Sequence, residues 1–164
     1  MTDRNREVYL YTDGGCSGNP GPGGWAFIIR FPYKNLEEKR AGAESFTTNN
    51  KMELQAVIEG LKFIKPPRPG QPRWKVHVFT DSGYLQQGIT TWIHNWKKNG
   101  WRRKTSKGYE PVKNQELWQE LDRLVQVHDV KFEWIRGHAG HAENEECDEM
   151  AVNAYKQLMK KARA

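Results

Sequence analysis

Val8-Tyr-Leu-Tyr-Thr-Asp-Gly-Gly15 is the stretch from which the fold is inferred. Val8, Leu10 and Thr12 alternate with Tyr9, Tyr11 and Asp13, and this period of two is typical of a strand. The glycine-rich segment 14–24 that follows predicts a turn-rich loop. Segments 25–31 and 40–48 predict two more strands. Their short connections favour antiparallel hairpins, so we expect the chain to begin with three antiparallel strands.

Helices interrupt the strands in the rest of the chain. Asn49-Asn50 offers a helix N-cap, apolar residues follow at helical spacing, and the proline-rich segment 66–72 ends this helix. The patterns further along predict a fourth strand at 76–81, short helical stretches up to Lys98, a helix at 116–127, a fifth strand at 130–135 and a last helix at 143–161. This order predicts an α/β fold in which helices pack on a mixed sheet.

Length and composition indicate a single globular domain over residues 1–164. The first residues lack the apolar core of a signal peptide, and no apolar run is long enough to cross a membrane. We therefore expect a soluble cytoplasmic protein. Such a protein would keep Cys16 and Cys147 as buried, reduced thiols.

The net charge of +6 is concentrated in one segment. Residues 97–107 contain six of the 26 basic residues and no acidic one, so the rest of the chain has 20 basic and 20 acidic residues. Trp92, Trp96 and Trp101 lie in or beside this segment. The two tryptophans at i and i+4 also fit a packed helical face, but the localised charge favours binding to a polyanion such as a nucleic acid.

Two aspartates follow strands in the same way, in Tyr11-Thr-Asp-Gly14 and Phe79-Thr-Asp-Ser82. Asp before Gly or Ser is also ordinary turn chemistry. If the two strands are parallel neighbours, however, Asp13 and Asp81 leave the sheet at the same carboxyl edge, where open α/β sheets place their sites.

Two helical carboxylates are predicted to point inward. At about 100° per residue, Asp148 falls inside the apolar arc of the last helix, and Glu53 falls at the edge of the apolar face of its helix. Buried carboxylates without basic partners repel one another unless cations lie between them. The four carboxylates therefore predict a site for Mg²⁺ or Mn²⁺, which prefer oxygen ligands. Zinc bound by His138, His141 and Cys147 is the alternative, but their spacing matches no common zinc pattern.

Five motifs in order resemble those of type 1 ribonucleases H, over nearly the whole chain. They are Tyr11-Thr-Asp-Gly-Gly-Cys-Ser-Gly-Asn-Pro-Gly-Pro-Gly-Gly24, Thr47-Thr-Asn-Asn-Lys-Met-Glu-Leu54, Thr80-Asp-Ser82, segment 87–101 with its tryptophans and lysines, and Gly137-His-Ala-Gly-His-Ala-Glu-Asn-Glu-Glu-Cys-Asp148. The resemblance implies a five-stranded mixed β-sheet flanked by α-helices on both faces. It also implies a monomer whose partner is an RNA–DNA hybrid, without a separate hybrid-binding domain.

The resemblance further implies an endonuclease that hydrolyses the RNA strand with two Mg²⁺ ions, or Mn²⁺ as a substitute, and leaves 3′-hydroxyl and 5′-phosphate ends. The implied metal ligands are Asp13, Glu53, Asp81 and Asp148, and His138 is the implied mobile catalytic histidine. The implied substrate-binding residues are Asn19, Thr48, Asn49, Asn50, Trp92, Asn95, Trp96, Lys97, Lys98 and Trp101. Gly83 departs from a bacterial branch that has a substrate-contacting glutamine there, so this contact is expected to be missing.

Two other functions are compatible with parts of the pattern. A transposase, resolvase or exonuclease relative would share the fold but cut duplex DNA. A non-catalytic hybrid- or RNA-binding module would bind without turnover, which requires vestigial carboxylates. The asparagine pair at 49–50, the tryptophan-rich segment and the complete carboxylate set favour the hybrid-specific nuclease.

Overall fold

The structure is a computed structural model that describes residues 6–135 and 142–163. Its elements in chain order are β1 (Glu7–Cys16), β2 (Gly21–Phe31), a turn of 3₁₀ helix (Pro32–Lys34), β3 (Leu36–Thr47), α1 (Asn49–Phe63), β4 (Lys75–Thr80), α2 (Gly83–Gln87), a π-helical turn (Gly88–Trp92), α3 (Ile93–Lys98), β5 (Arg102–Thr105), β6 (Gly108–Pro111), α4 (Gln115–Val127), β7 (Asp129–Trp134) and α5 (Ala142–Arg163).

The central sheet has five strands in the order β3-β2-β1-β4-β7. The pairs β3-β2 and β2-β1 are antiparallel, whereas β1-β4 and β4-β7 are parallel. The predicted mixed sheet is thus confirmed. In the β1-β4 register Tyr11 pairs with Phe79, so Asp13 and Asp81 each lie two residues beyond the last matched pair.

Helices cover both faces of the sheet, as predicted. Alternate residues of β1 explain why: Val8 and Leu10 belong to the larger core, formed with α1 and α4, whereas Tyr11 packs with Cys147 and Ala151 of α5 on the other face. Each face of the central strands therefore buries its own apolar layer, and the functional edge lies between the two layers.

The structure corrects several expected boundaries. β1 and β2 continue through the glycine-rich segment and pair up to Cys16 and Gly23, which leaves only residues 17–20 as the loop. Glycines lack side chains but retain the backbone groups that a ladder needs, so composition alone underestimates such strands. Asp13 is therefore inside a strand and not at its end.

Two local features were also missed. The N-cap of α1 is Thr48, whose side chain accepts a hydrogen bond from the Lys51 amide, and Asn49 is already helical. The hairpin of β5 and β6 was not predicted, because its strands are only four residues long and strongly polar.

None of the helices in the described segments is both long enough and apolar enough to cross a membrane.

Candidate active site and nucleic-acid interface

Asp13 and Asp81 lie at the same edge of the sheet. Asp81 directly follows β4, and Asp13 occupies the matching position on β1, where the parallel ladder has ended but the pairing with β2 continues. The two carboxylates interact electrostatically. This is the juxtaposition that parallel neighbouring strands were expected to produce.

Gly14 allows the first turns of α1 to approach β1. A Cβ atom at Gly14 would lie 2.3 Å from the carbonyl oxygen of Met52 and 2.7 Å from the amide nitrogen of Glu53, both backbone atoms of α1. Any side chain there would push the helix away. The glycine after Asp13 therefore sets how closely the segment that carries Glu53 packs beside Asp13.

Glu53 is held from the other side by Ser82. The Ser82 hydroxyl donates to Oε2 of Glu53 at 2.5 Å. Ser82 is also the N-cap of α2, because its Oγ accepts a hydrogen bond from the Leu85 amide. Burial raises the pKa of Glu53, the hydrogen bond from Ser82 lowers it, and the charge of Asp81 raises it. Glu53 and Asp81 thus share one side of the site.

Asp148 enters the site from α5. Helical periodicity predicted an inward, buried position, but Asp148 is exposed. Its helix begins at Ala142 and packs on β1, β2 and β3, with Cys147 and Ala151 buried against the sheet, while the Asp148 side chain between them is open to solvent. It is nonetheless close enough to Asp13 for a side-chain hydrogen bond to affect the pKa of Asp13.

Asp13 is the electrostatic centre of the group. Burial, then the charges of Asp148 and Asp81 and a side-chain hydrogen bond that protonated Asp13 donates to Asp148, raise the pKa of Asp13 to about 8, although the Gly14 amide donates to its Oδ1 at 2.9 Å. Asp148 of α5 and Asp81 at the end of β4, which are far apart in sequence, therefore place like charges beside the partly buried carboxylate of Asp13.

The chemistry of these donors fits a hard divalent cation. In the described segments, no three His, Cys, Asp or Glu side chains already converge as a ready-made ligand set. Bare carboxylates repel one another, and a cation between them removes that repulsion. The fit depends on the oxygen donors that Asp13, Glu53, Asp81 and Asp148 offer, and the raised pKa values of Asp13 and Glu53 agree with it.

Asparagines join the 17–20 loop to the start of α1. The Asn49 amide donates to Oδ1 of Asn19 at 3.2 Å, and Oδ1 of Asn49 accepts the Cys16 amide at 2.8 Å. The Cys16 thiol lies in the same cluster, 3.3 Å from Oδ1 of Asn49, and is only partly buried. The expectation that both thiols are buried therefore holds only for Cys147, and Cys16 borders the predicted substrate-binding asparagines.

A groove next to this cluster joins Asn50 to the tryptophan-rich segment. It has a volume of about 380 Å³. Its lining residues are Asn50, Tyr84, Trp92, Trp96, Arg103, Val112, Lys113 and Asn114. The tertiary structure thus gathers predicted residues from α1 and from segment 92–96 around one cleft with polar, basic and aromatic walls.

Buried aromatic rings support this groove. The rings of Trp92 and Trp96 pack at a tilt of 39° with centroids 5.8 Å apart, and Trp96 meets the fully buried Trp118 edge-on at 5.4 Å. Tyr84 accepts hydrogen bonds from Nε1 of Trp118 at 2.9 Å and from Nδ2 of Asn114 at 3.1 Å. Trp92 and Trp96 therefore pack against other aromatic rings and also line the groove. No periodic pattern pointed to Tyr84, Lys113 or Asn114 as groove residues.

Three other predicted substrate residues have different surroundings. Lys97 is paired with Asp122 at 3.3 Å, and Thr48 caps α1 as described above. Asn95 is exposed on α3. The remaining basic and aromatic members, Lys98 and Trp101, follow at the end of α3, where Trp101 has a positive φ of 63° and its amide donates to the Trp96 carbonyl.

The zinc alternative has no support among the described residues. The Cys147 thiol is buried and donates to the carbonyl oxygen of Tyr11 at 3.4 Å, inside the apolar layer under α5. His138 and His141 lie outside the described residues, so the predicted catalytic role of His138 stays a prediction.

Comparison with known proteins identifies relatives over nearly the whole chain. The RNase H family profile matches residues 5–156. A ribonuclease H of Rhodopirellula baltica is 51% identical over 164 residues, which cover 97% of this chain and 100% of that protein. A ribonuclease HI of Neisseria meningitidis serogroup B is 52% identical over 147 residues, or 90% and 94% of the two chains.

A solved structure shows the same architecture. LC9-RNase H1, described as a type 1 RNase H with the type 2 active-site motif, superposes with a TM-score of 0.78 at 36% identity. The match covers 93% of this chain and 74% of that one.

Proposed function

The chain belongs to the RNase H family, in its type 1, bacterial-like branch, and on that premise we propose that it is an endonuclease that hydrolyses the RNA strand of RNA–DNA hybrids. The proposed products carry 3′-hydroxyl and 5′-phosphate ends. In this proposal the single domain acts alone, as a monomer.

One observation carries the proposal: Asp148 of α5 and Asp81 at the end of β4 lie beside the partly buried Asp13 of β1, whose pKa is raised by burial and by their charges, and Gly14 lets the α1 segment that carries Glu53 pack against the same strand. Such a cluster is unfavourable for an empty protein and favourable for one that binds divalent cations. A structural core gains nothing from it.

We propose that Asp13, Glu53, Asp81 and Asp148 hold two Mg²⁺ ions, with Mn²⁺ as a substitute. When bound, the ions would activate water as the nucleophile and stabilise charge on the phosphate. Asp13, whose charge is opposed by both Asp81 and Asp148, would be the ligand that gains most from a bound cation. Ser82, by donating to Glu53, would keep that carboxylate oriented toward the site. His138 would assist proton transfer or product release.

Recognition of the hybrid is divided between two surfaces. Asn19, Asn49 and Asn50 supply amides beside the carboxylates, where they can read the 2′-hydroxyls that distinguish RNA from DNA. The groove of Trp92 and Trp96, continued by the basic segment, would carry the DNA strand by stacking and phosphate contacts. Each surface then reads one strand.

The direct test is cleavage of an RNA–DNA hybrid labelled on the RNA strand, in Mg²⁺ and in Mn²⁺. Single-stranded RNA, duplex RNA and duplex DNA are assayed in parallel. We expect cleavage of the hybrid's RNA strand alone. Asp81→Asn removes one negative charge with little change of shape, and we expect it to lower kcat by at least about 100-fold.

Asp129→Asn is the matched control, because Asp129 is an exposed residue at the opposite edge of the sheet. We expect its activity to equal that of the wild type. Salt-sensitive hybrid binding without turnover in either metal would instead support a binding module. Cleavage of duplex DNA with none of hybrid would support a transposase or resolvase relative.

A further inference from the structure

Asn144, in the first turn of α5, joins the two strands that carry the catalytic aspartates. Its side chain is 95% buried, with a relative exposure of 5%. Nδ2 donates to the carbonyl oxygen of Thr12 on β1 at 3.3 Å and to that of Phe79 on β4 at 3.0 Å. Thr12 directly precedes Asp13, and Phe79 lies two residues before Asp81.

The chemistry of this contact requires an amide. Two carbonyl oxygens on neighbouring strands accept hydrogen bonds from one short side chain, which must therefore have two N–H donors. The terminal amide of asparagine has two such donors on Nδ2. The opposite amide orientation would place Oδ1 against both carbonyls and is therefore excluded by repulsion. A carboxylate of the same shape offers no such pair of donors.

Oδ1 of Asn144 is buried and has no hydrogen-bond partner among the described residues. The hydrogen bonds that this side chain makes to described residues are therefore those of Nδ2, to the two strand carbonyls.

The position of Asn144 on α5 connects this contact to the third carboxylate. Asp148 follows four residues later, one helical turn further along. Glu143 beside it is paired with Arg30 of β2 at 2.9 Å, and the Cys147 thiol donates to the Tyr11 carbonyl. The start of α5 is thereby docked on β1, β2 and β4 at once.

We propose that Asn144 is a positioning residue that sets the mutual placement of Asp13, Asp81 and Asp148, and hence the affinity of this site for divalent cations. The proposal rests on the proposed function, since it assigns a role toward the metal ions. Asn144 touches neither ion nor substrate in this scheme. It acts through the strand carbonyls that precede the two aspartates and through the helix that carries the third.

The test is the affinity of the free protein for Mg²⁺, measured by isothermal titration calorimetry without nucleic acid. For Asn144→Ala we expect the Mg²⁺ Kd to rise about 10-fold and kcat on the hybrid to fall about 10- to 100-fold, the range seen when residues behind metal ligands are removed. The Kd for hybrid in EDTA is expected to stay within about twofold of the wild type, because Asn144 contacts no substrate.

The control is Asn153→Ala, an exposed asparagine on the same helix, expected to leave the Mg²⁺ Kd and kcat unchanged. Thermal unfolding of each variant gives the folded fraction at the assay temperature. A purely structural role would lower Tm and leave the Mg²⁺ Kd of the folded protein unaltered, and that result would overturn the proposal. If Asn144→Ala does not fold, Asn144→Ser, which retains one donor, is titrated in its place with the same expectation.

The two proposals fail separately. A wild-type protein that binds Mg²⁺ but does not cleave hybrid would contradict the proposed function, while the Mg²⁺ titrations would still decide the role of Asn144. A wild-type protein that cleaves hybrid, together with an Asn144→Ala variant of unchanged Mg²⁺ Kd and kcat, would contradict only the positioning role.

Discussion

Asp13 differs from the other acidic residues of the site in how strongly its surroundings disfavour its charge. It lies within a strand, is partly buried, and has Asp148 and Asp81 as neighbours. A carboxylate in such a place lowers the stability of the empty protein at neutral pH, and this cost is the counterpart of cation affinity. At this scale, function and stability make opposite demands on the same side chain.

This opposition predicts a pH-dependent effect of Asp13→Asn on metal-free protein. The folded-state pKa of Asp13 is raised to about 8, above its value of about 3.9 in an unfolded chain. Folded protein therefore holds the proton more tightly, and the associated stability is complete below pH 4 and lost as the pH rises through 8. We expect Asp13→Asn to raise the free energy of unfolding at pH 9 by on the order of 2 kcal/mol and to change it little at pH 4.

Urea unfolding in EDTA at both pH values measures the effect, and Asp129→Asn is the control for removal of an exposed charge. Adding Mg²⁺ at pH 9 should stabilise the wild type more than the variant, because the cation removes the repulsion. A variant that is less stable than the wild type at pH 9 in EDTA would contradict the assignment of Asp13 as the repelled centre.

At the scale of elements, the site depends on how closely α1 packs on β1. No pattern of apolar residues in the sequence predicts this contact, since the Gly14 backbone packs against the backbone of Met52 and Glu53. Such close approaches are possible only where a side chain is absent. The distance between helix and strand is thus set by a missing Cβ atom, and Glu53 follows the helix.

Gly14→Ala should therefore destabilise the protein and displace Glu53. The added Cβ would lie 2.3 Å from a backbone oxygen that cannot move without the helix, so we expect a loss of about 3 kcal/mol in urea unfolding. Gly83→Ala is the matched control, because a Cβ atom at that helical position meets nothing within 4 Å. We expect that variant to be unchanged or more stable by up to about 1 kcal/mol. Equal stability of the two variants would show that α1 shifts at no cost.

At the scale of the whole molecule, the distribution of charge separates a binding face from the rest. The segment 97–107 contains six basic residues without an acidic one and follows the aromatic groove. Within it, Lys97 is engaged with Asp122, whereas Lys98, Arg102 and Lys104 are exposed. The exposed members are the ones available to phosphates.

We expect hybrid binding to weaken as salt rises, since each phosphate contact releases a counterion. Replacing Lys98, Arg102 and Lys104 together by alanine should reduce the slope of log K against log salt by about 2 to 3, at about 0.9 for each lost contact. Fluorescence anisotropy in EDTA at several salt concentrations measures it. The matched triple variant of Lys156, Lys160 and Lys161 at the end of α5 should keep the wild-type slope. The same slope in both triple variants would place the binding face elsewhere.

Sequence reasoning predicted the mixed sheet and its helices well because strand and helix periods are local properties. It was wrong where local composition misleads. It did not predict that β1 and β2 extend into the glycine-rich segment, it missed the short polar hairpin of β5 and β6, and it predicted that Asp148 is buried. Helical angle identifies the face of a helix but not what covers that face. Asp148 was placed on the inward arc of α5, and its neighbours Cys147 and Ala151 are buried there, yet the Asp148 side chain itself is exposed.

By itself, the sequence determined the order of the elements, the family through its five motifs, and the set of acidic, amide and aromatic residues from which a site could be built. Only the tertiary structure decided how these residues meet: Tyr11 opposite Phe79, Gly14 against α1, Asn50 beside Trp92, and Asn144 between two strands. The physical reason is range. Periodicity and capping act over a few residues, whereas these contacts join segments more than 30 residues apart and depend on how whole elements pack.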